Sequence, residues 1–359
     1  MHLVLNTLFY ELLQVALDTR TELSRIPSAE EWKALYEEAK RQSVLGVCLL
    51  ALQKEGGEWA VRYQVPINLK LLWIGKTEKI ADCNRKLNLQ CHQLSQKLID
   101  SQRWCCILKG QAMAMLYPNP LWRQSGDIDI WVDGDRDELV NMVRRVTGRR
   151  DKVTYPHVDF HVFEDTPVEL HFKPTWLFNP YYNHRLQKWI DSHHDIQTNT
   201  PFPIATTEFN VLYILLHIFR HIFDEGIGMR QIVDYYYVLK EAQGQIKPDL
   251  SYFGIERFTS GLMWVLHTTC NMPETWMIAK PDQRVGEWLL REIMLAGNFG
   301  HYDLRNQDIR HNTTWSKLFF RMRLSLRRVF LFPGEALWEM PWRIVHYFWR
   351  TIKFGRIDH

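Results

Sequence analysis

The stretch Ser125-Gly-Asp-Ile-Asp-Ile-Trp-Val132 decides the fold, because polar and apolar residues alternate from Asp127 to Ile130 and the apolar Trp131 and Val132 continue the run. A period of two residues predicts a β-strand. Asp127 and Asp129 are two positions apart, so their carboxylates point to the same face with Cα atoms roughly 6.5 to 7 Å apart. Such carboxylates repel each other unless a cation lies between them, and they are typical ligands of Mg²⁺. This strand therefore predicts a metal site.

A strand, a glycine turn and a helix are predicted just upstream. Trp104-Cys-Cys-Ile-Leu108 is a short apolar run rich in strand formers, Lys109-Gly110 is the turn, and Gln111 to Tyr117 has helical character. An unobstructed backbone turn before a helix can hold phosphate oxygens, and Lys109 adds a positive charge. Arg123, just before the acidic strand, could fork onto a phosphate group.

Two further alternating runs follow downstream. They are His157 to Phe163 and Val168 to Phe172, with Glu164-Asp-Thr-Pro167 between them as a predicted hairpin turn. A third carboxylate on a strand next to Asp127 and Asp129 would complete a site for two metal ions. Both Glu169 and Asp159 lie at alternating strand positions, so the pattern by itself leaves the choice open.

Helical patterns dominate the rest of the chain. Ser28-Ala-Glu-Glu31 is a capping box that opens a helix through Leu45, and a long amphipathic helix is predicted from Leu69 to about Gln102. Asp135 to Val146 and the segment after Thr206 are also predicted helical. The predicted fold is α+β, with a small mixed sheet flanked by helical regions. Its parts are an N-terminal helical region (1–98), an α/β core (99–200), a helical domain (201–310) and a basic, Trp-rich helical tail (311–359).

Composition excludes several classes of protein. With 46% hydrophobic and 24% charged residues, the 359-residue chain is not disordered or fibrous. A net charge of +3 is too small for a nucleic-acid binder that works by bulk charge. The six cysteines have no regular spacing, which argues against a zinc ribbon or a disulfide framework and favours a reducing compartment. No apolar stretch reaches 18 residues and no signal peptide is recognisable, so we expect a cytoplasmic protein without a transmembrane span.

The helix after Thr206 carries a polar stripe beside its apolar one. Its spacing of i, i+3, i+4 and i+7 places the polar residues on one face. A structural network of ion pairs between packed helices explains this stripe, and so does a pocket wall that binds a nucleobase or an acceptor; the sequence leaves both open. The stripe is His217, Arg220, His221 and Asp224, and Arg230 and Asp234 lie four apart on the next helix.

Positive charge is concentrated in the tail. Residues 311–359 contain nine Lys or Arg against three acids. Basic residues interleave with apolar ones from Arg321 to Phe332, and Trp338, Trp342 and Trp349 follow. An amphipathic helix pair that covers the core explains this pattern. The alternative is a contact surface for RNA, anionic lipid or a polyanionic acceptor.

Three segments together resemble the signature of the DNA polymerase beta-like nucleotidyltransferase superfamily. They are Ile107-Leu-Lys-Gly110, Arg123-Gln-Ser-Gly-Asp-Ile-Asp-Ile-Trp-Val132 and Val168-Glu-Leu-His-Phe172. Within that superfamily the chain resembles a bacterial branch of uncharacterised nucleotidyltransferases, whose helical Gly-Ile-Gly-Leu-Arg-Gln motif is present here as Gly226-Ile-Gly-Met-Arg-Gln231. Gln111 departs from the general signature, which has Gly or Ser at this position.

The resemblance implies transfer of a nucleotidyl group from an NTP such as ATP to an acceptor, with release of pyrophosphate. It implies that Asp127, Asp129 and Glu169 bind two Mg²⁺ ions, with Mn²⁺ as the alternative, and it favours Glu169 over Asp159. The nucleotide contacts that we expect are Lys109, Gly110, Gln111, Arg123, Ser125 and Gly126. The substrate pocket that we expect includes His171, His217, Arg220, His221, Arg230 and Asp234.

Two other functions fit the same resemblance. The chain could be a catalytically silent interaction protein that keeps the fold, although intact acidic residues at positions 127, 129 and 169 count against this. It could also modify a protein by transferring AMP to it. The acceptor is therefore a small molecule, a sugar or a protein, and the sequence does not choose among them.

Overall fold

The computed structural model describes residues 2–302 and 328–354. The predicted basic tail is therefore described in part. Arg321, Arg323 and Arg327, which would carry its contact surface, lie outside the described residues. Arg328 lies within them.

Helices form the chain up to Asp100. The capping box is present, because Ser28 Oγ accepts a hydrogen bond from the Glu31 backbone N–H and the Glu31 carboxylate accepts one from the Ser28 backbone N–H. The helices are α1 (His2–Ala16), α2 (Ala29–Arg41), α3 (Leu45–Leu52), α4 (Glu58–Arg62) and α5 (Ile67–Asp100).

Two predicted helices in this region have different outcomes. The long helix predicted from Leu69 to Gln102 is confirmed as α5. The helix predicted from the capping box through Leu45 is wrong in extent, because α2 ends at Arg41 and α3 begins at Leu45. Ser43 between them has a φ of +56°, a left-handed conformation that cannot continue a right-handed helix.

A small mixed sheet of six short strands follows. The strands are β1 (Cys105–Leu108), β2 (Ile128–Val132), β3 (His157–Asp159), β4 (Val168–His171), β5 (Ile196–Gln197) and β6 (Ile204–Ala205), in the order β3-β4-β2-β1-β6-β5. β2 is antiparallel to β1 and parallel to β4. The sheet with its flanking helices confirms the predicted α+β fold.

The predicted hairpin between β3 and β4 is present with a shorter first strand. The alternating pattern predicts a strand from His157 to Phe163, but β3 ends at Asp159. The Val162 N–H donates to the Phe160 carbonyl at 2.8 Å, which forms a tight three-residue turn. This turn directs the chain away from the sheet before it returns as β4.

The remaining helices connect the strands or follow the last of them along the chain. Asp135 caps the start of the helix Arg136–Thr147 and Thr206 caps the start of the helix Thr207–Asp224, as their positions in the sequence predict. These helices are α6 (Lys109–Ala114), α7 (Arg136–Thr147), α8 (Pro180–Asp191), α9 (Thr207–Asp224), α10 (Met229–Ala242), α11 (Leu250–Phe253), α12 (Glu256–Cys270), α13 (Gln283–Ala296) and α14 (Pro333–Phe354). Among the helices of residues 2–302 and 328–354, none is long and apolar enough to cross a membrane.

Helices α9 and α10 lie at the centre of the molecule. Most of their residues are buried, including Phe209 and Tyr235. The Tyr235 hydroxyl donates to the Val211 carbonyl at 3.0 Å, which ties the two helices together. Phe209 stacks on Trp131 of β2, with ring centroids 5.6 Å apart and planes 23° apart. The face of the sheet that carries Trp131 therefore faces α9.

Candidate active site

Three carboxylates meet at the start of β2. Asp127 directly precedes this strand, and Asp129 is its second residue. Asp129 is in register with Glu169 on the adjacent parallel strand β4. In-register residues of neighbouring strands present their side chains to the same face of a sheet. The structure therefore brings together the three residues that the sequence analysis selects as metal ligands.

The register distinguishes the two candidates for the third carboxylate. Asp159 on β3 is paired with Glu169 and lies one strand farther from Asp129. Glu169 lines the same cavity as Asp127 and Asp129, whereas Asp159 does not line it. This arrangement favours Glu169.

The Asp129 carboxylate is buried and held between two nitrogen groups. Lys109 Nζ lies 2.7 Å from Asp129 Oδ1, and His171 Nε2 lies 2.8 Å from the same oxygen. Burial favours the neutral acid, but Lys109 and His171 outweigh it and hold the pKa of Asp129 well below its usual range. Asp129 is therefore ionised at neutral pH, as a metal ligand requires.

Asp127 differs from Asp129 in having no partner among the described residues. Its carboxylate makes no hydrogen bond or ion pair with the part of the chain that the structure describes. The walls of the cavity desolvate this carboxylate, and together with the charge of Asp129 they raise its pKa. A bound cation would relieve both effects.

Two histidines flank Glu169. Its Oε2 lies 3.1 Å from His157 Nδ1 and 3.3 Å from His171 Nε2. Burial opposes ionisation of Glu169, but the hydrogen bond with His171 lowers the pKa of this carboxyl. Burial lowers the pKa of His157 to about 4. Burial also disfavours charge on His171, yet its bonds to Asp129 and Glu169 raise its pKa.

The glycine turn approaches the acidic strand closely. Lys109 has a left-handed backbone with a φ of +45°, and a Cβ added to Gly110 would lie 3.5 Å from the Asp127 carbonyl oxygen. Lys109 and Gly110 both line the cavity. The side chain of Gln111 points elsewhere, because its Nε2 donates to Asn88 Oδ1 on α5 at 2.6 Å. A phosphate contact from Gln111 would therefore have to use its backbone.

Arg123 requires a correction. The sequence predicts that its guanidinium forks onto phosphate, but this fork already holds Asp234, with Nε–Oδ1 and Nη2–Oδ2 distances of 2.7 Å. The remaining nitrogen, Nη1, donates to Ser125 Oγ at 2.8 Å. Tyr117 also donates its hydroxyl to Asp234 at 2.6 Å. Arg123 therefore anchors the Ser125-Gly126 loop, which itself lines the cavity.

Helix α9 contributes to the cavity wall. Phe209 packs on the sheet, and ring contacts at a spacing of four residues continue from it through Tyr213 to His217 and His221. Both histidines line the cavity. Burial and the charge of Lys109 keep the pKa of His217 well below its usual value. The same two effects lower the pKa of His221 to about 4. Both imidazoles are neutral at physiological pH.

The other members of the polar stripe have partners within the protein, and Asp224 also pairs with Arg343 of α14 at 2.5 Å. Arg220 Nη2 donates to Asp224 at 2.6 Å, and its guanidinium lies 3.7 Å from the ring centroid of Trp176 and 3.9 Å from that of Phe178. Arg230 donates to the Gln124 carbonyl at 2.8 Å. Of the two explanations for this stripe, the ion-pair network describes Arg220 and Asp224, and the pocket wall describes the two histidines.

Part of the cavity wall was missed by the sequence analysis. The cavity has a volume of about 490 Å³, and α14 closes one side of it with Trp342, Arg343 and His346. Trp342 stacks on Trp176 with ring centroids 3.9 Å apart. The tryptophans of the tail were the available signal, but their spacing does not reveal which wall of the protein they would contact.

Comparisons with known proteins identify a family for this chain. The model of a family described as uncharacterised nucleotidyltransferase matches residues 28–270. A solved structure of an antigenic nucleotidyltransferase-like protein from Paracoccidioides brasiliensis is 14% identical and covers 56% of this chain and 96% of that chain, with a TM-score of 0.34. This structural similarity is too low to carry an argument. No curated protein matches the chain significantly.

Proposed function

The chain belongs to the family of uncharacterised nucleotidyltransferases, and on this basis we propose that it transfers a nucleotidyl group from an NTP to an acceptor and releases pyrophosphate. We propose further that it uses two divalent metal ions, Mg²⁺ or Mn²⁺, bound by Asp127, Asp129 and Glu169. This would place it among the DNA polymerase beta-like enzymes.

The observation that carries the proposal is the register between β2 and β4. It places Asp129 and Glu169 side by side, with Asp127 two residues from Asp129 at the cavity. Carboxylate oxygens are the donors that Mg²⁺ prefers, and the Asp127 carboxylate has no protein partner within residues 2–302 and 328–354. The side chains therefore fit divalent cations. Such ions would neutralise the developing charge on the attacking and leaving oxygens.

Residues of the chain supply the remaining functions. Lys109 keeps Asp129 ionised and adds a positive charge at the cavity. The Lys109-Gly110 turn and the Ser125-Gly126 loop line the cavity and would contact the triphosphate. Glu169 has a lowered pKa, so it is ionised and able to accept the proton of an acceptor hydroxyl. The wall formed by His217 and His221 would face the base or the acceptor.

The test is pyrophosphate release from each of the four common NTPs in the presence of Mg²⁺ or Mn²⁺, with pooled sugars, small hydroxyl compounds and proteins as acceptors. Metal-dependent binding of at least one NTP is measured in parallel by calorimetry. We expect binding and turnover for the wild type, and loss of turnover in Asp127→Asn. Asp133→Asn is the matched control, because this exposed residue flanks the other end of β2.

The outcomes separate the alternative functions. Labelling of a protein by an α-labelled NTP would identify a protein-modifying enzyme, and labelling of a small acceptor would exclude it. No metal-dependent binding of any NTP would contradict the proposal and favour an interaction protein that keeps only the fold.

A further inference from the structure

We propose that His157, Glu169 and His171, together with Asp129, bind a divalent first-row transition-metal ion such as Mn²⁺, Co²⁺ or Zn²⁺. This inference rests on the proposed function, which places metal ions at the three carboxylates, and it states which class of ion binds nearest Glu169. It adds His157, a residue that the motif of acidic residues does not include, and it assigns His171 to the metal instead of the substrate.

The ligand atoms converge at distances that suit one ion. Glu169 Oε2 lies 3.1 Å from His157 Nδ1 and 3.3 Å from His171 Nε2, and the latter lies 2.8 Å from Asp129 Oδ1. One ligand atom from each of His157, Glu169 and His171 lies within 4.8 Å of the other two. Atoms that bind one ion at about 2.0 to 2.2 Å are about 3.0 to 3.5 Å apart.

The orientation of His157 indicates that its Nδ1 and the Glu169 carboxylate both point to the position of one metal ion. Its Nδ1 is buried and close to Glu169, yet it makes no hydrogen bond with any described residue. When a nitrogen and a carboxylate oxygen lie this close without hydrogen-bond geometry, their lone pairs do not point at each other. Two ligands of the same ion have this arrangement, because each lone pair points at the ion.

Groups behind both imidazoles also fit metal ligation. Histidines that bind a metal usually direct their second ring nitrogen to a carbonyl or a carboxylate, which sets the tautomer. His171 Nδ1 lies 3.3 Å from the Lys173 carbonyl oxygen, and His157 Nε2 lies 3.6 Å from Asp159 Oδ1. Both rings therefore turn their other nitrogen toward Glu169. Asp159 has a role here as a partner of a ligand.

The nitrogen donors determine the class of metal. Mg²⁺ takes oxygen ligands and retains several waters, whereas imidazole suits later first-row ions. The competing explanation is that His171 is a cation that bridges Asp129 and Glu169 without a metal. Under that explanation His157 contributes nothing to metal affinity. A variant of His157 therefore distinguishes the metal site from the metal-free bridge.

The test is calorimetric titration of the metal-free full chain with Co²⁺ and with Mg²⁺, without nucleotide. The visible absorption of bound Co²⁺ reports its ligands. We expect Co²⁺ to bind at least about tenfold more tightly than Mg²⁺. His157→Gln should weaken Co²⁺ binding by about tenfold or more and shift its absorption, with less than about threefold change for Mg²⁺.

The matched control is His161→Gln, an exposed histidine four residues further along the hairpin that pairs with Asp151. It should bind both metals like the wild type. Equal affinities for Co²⁺ and Mg²⁺, or unchanged Co²⁺ binding in His157→Gln, would overturn the inference. If Co²⁺ binds as expected but no NTP is turned over with any metal, the proposed function fails while the metal site stands.

Discussion

Two clusters of charged side chains contribute residues to the cavity wall, and they differ in how their charges are balanced. The sheet cluster consists of Lys109, Asp127, Asp129 and Glu169. The helical cluster joins α9 to α14 and consists of Arg220, Asp224, Arg328, Glu335, Glu339 and Arg343.

In the helical cluster the charges offset one another. Three arginines face three acids, and Arg343 contacts both Asp224 at 2.5 Å and Glu339 at 3.1 Å. Burial would raise the pKa of Asp224, but Arg220 and Arg343 lower it to about 2. In the sheet cluster three carboxylates face one lysine and the ring of His171. A balanced buried cluster holds helices together, whereas an excess of carboxylate is suited to bind cations.

The largest expected effect is the loss of turnover when a carboxylate of the sheet cluster is removed. Asp127→Asn should reduce turnover by at least about 10³-fold, or about 4 kcal/mol, because it removes a carboxylate that neutralises bound metal. Its free energy of unfolding should not fall, since Asp127 has no partner in the described chain to lose and Asn removes the desolvation and the repulsion by Asp129 that raise the pKa of Asp127. Turnover assays and urea denaturation measure the two quantities.

Asp129→Asn provides the contrast within the same cluster. It should abolish turnover as well, but it should also cost about 3 to 5 kcal/mol of stability, because Lys109 and His171 lose their buried counter-charge. Equal stability losses in the two variants would contradict the difference in partners that the structure shows.

The next effect concerns the helical cluster. Arg220→Met should destabilise the protein by about 3 to 5 kcal/mol, because it leaves Asp224 short of a counter-charge and removes the contact of the guanidinium with two aromatic rings. Arg85→Met is the control, since Arg85 makes only exposed pairs on α5 and should cost less than about 0.5 kcal/mol. Urea denaturation of both variants checks this, and equal losses would show that the helical cluster is not a structural support.

The smallest effect depends on pH. Burial raises the pKa of Glu335 from 4.5 to about 7 in the folded protein. Between these values the folded state holds a proton that the unfolded state releases, so Glu335 lowers stability as pH rises from about 4.5 to 7, by about 2 to 3 kcal/mol. Glu335→Gln removes this contribution. The stability of the wild type relative to this variant should therefore fall over that range, as measured by urea denaturation at pH 5 and pH 7.5. Parallel pH profiles would contradict the burial of an acid at this position.

Local signals predicted much of the fold. The alternation around Asp129 predicted β2, the capping residues Ser28 and Thr206 predicted the starts of α2 and α9, and amphipathic spacing predicted α5. These signals arise within a few residues along the chain. The errors were the extents of α2 and β3, where a left-handed residue and a tight turn interrupt a continuing apolar pattern.

The partners of charged residues were harder to predict. The acidic pattern indicated Asp127, Asp129 and Glu169, and the register of β2 with β4 brings the last two side by side. Arg123 was predicted to bind phosphate, because the sequence did not reveal its partner in the protein. That partner, Asp234, lies 111 residues away along the chain. No local spacing connects these two residues.

The sequence by itself determined the strands β1 to β4, the starts of several helices and the identity of the acidic residues, because periodicity and capping depend on neighbours in the chain. It did not reveal the two-residue strands β5 and β6, which are too short to show a period. Tertiary structure decided which charges are offset and which remain in excess. It paired Arg123 with Asp234, set His157 beside Glu169, and placed Trp342 of α14 in the cavity wall. Electrostatic balance depends on distance in space, so residues far apart in sequence become a site only when the chain has folded.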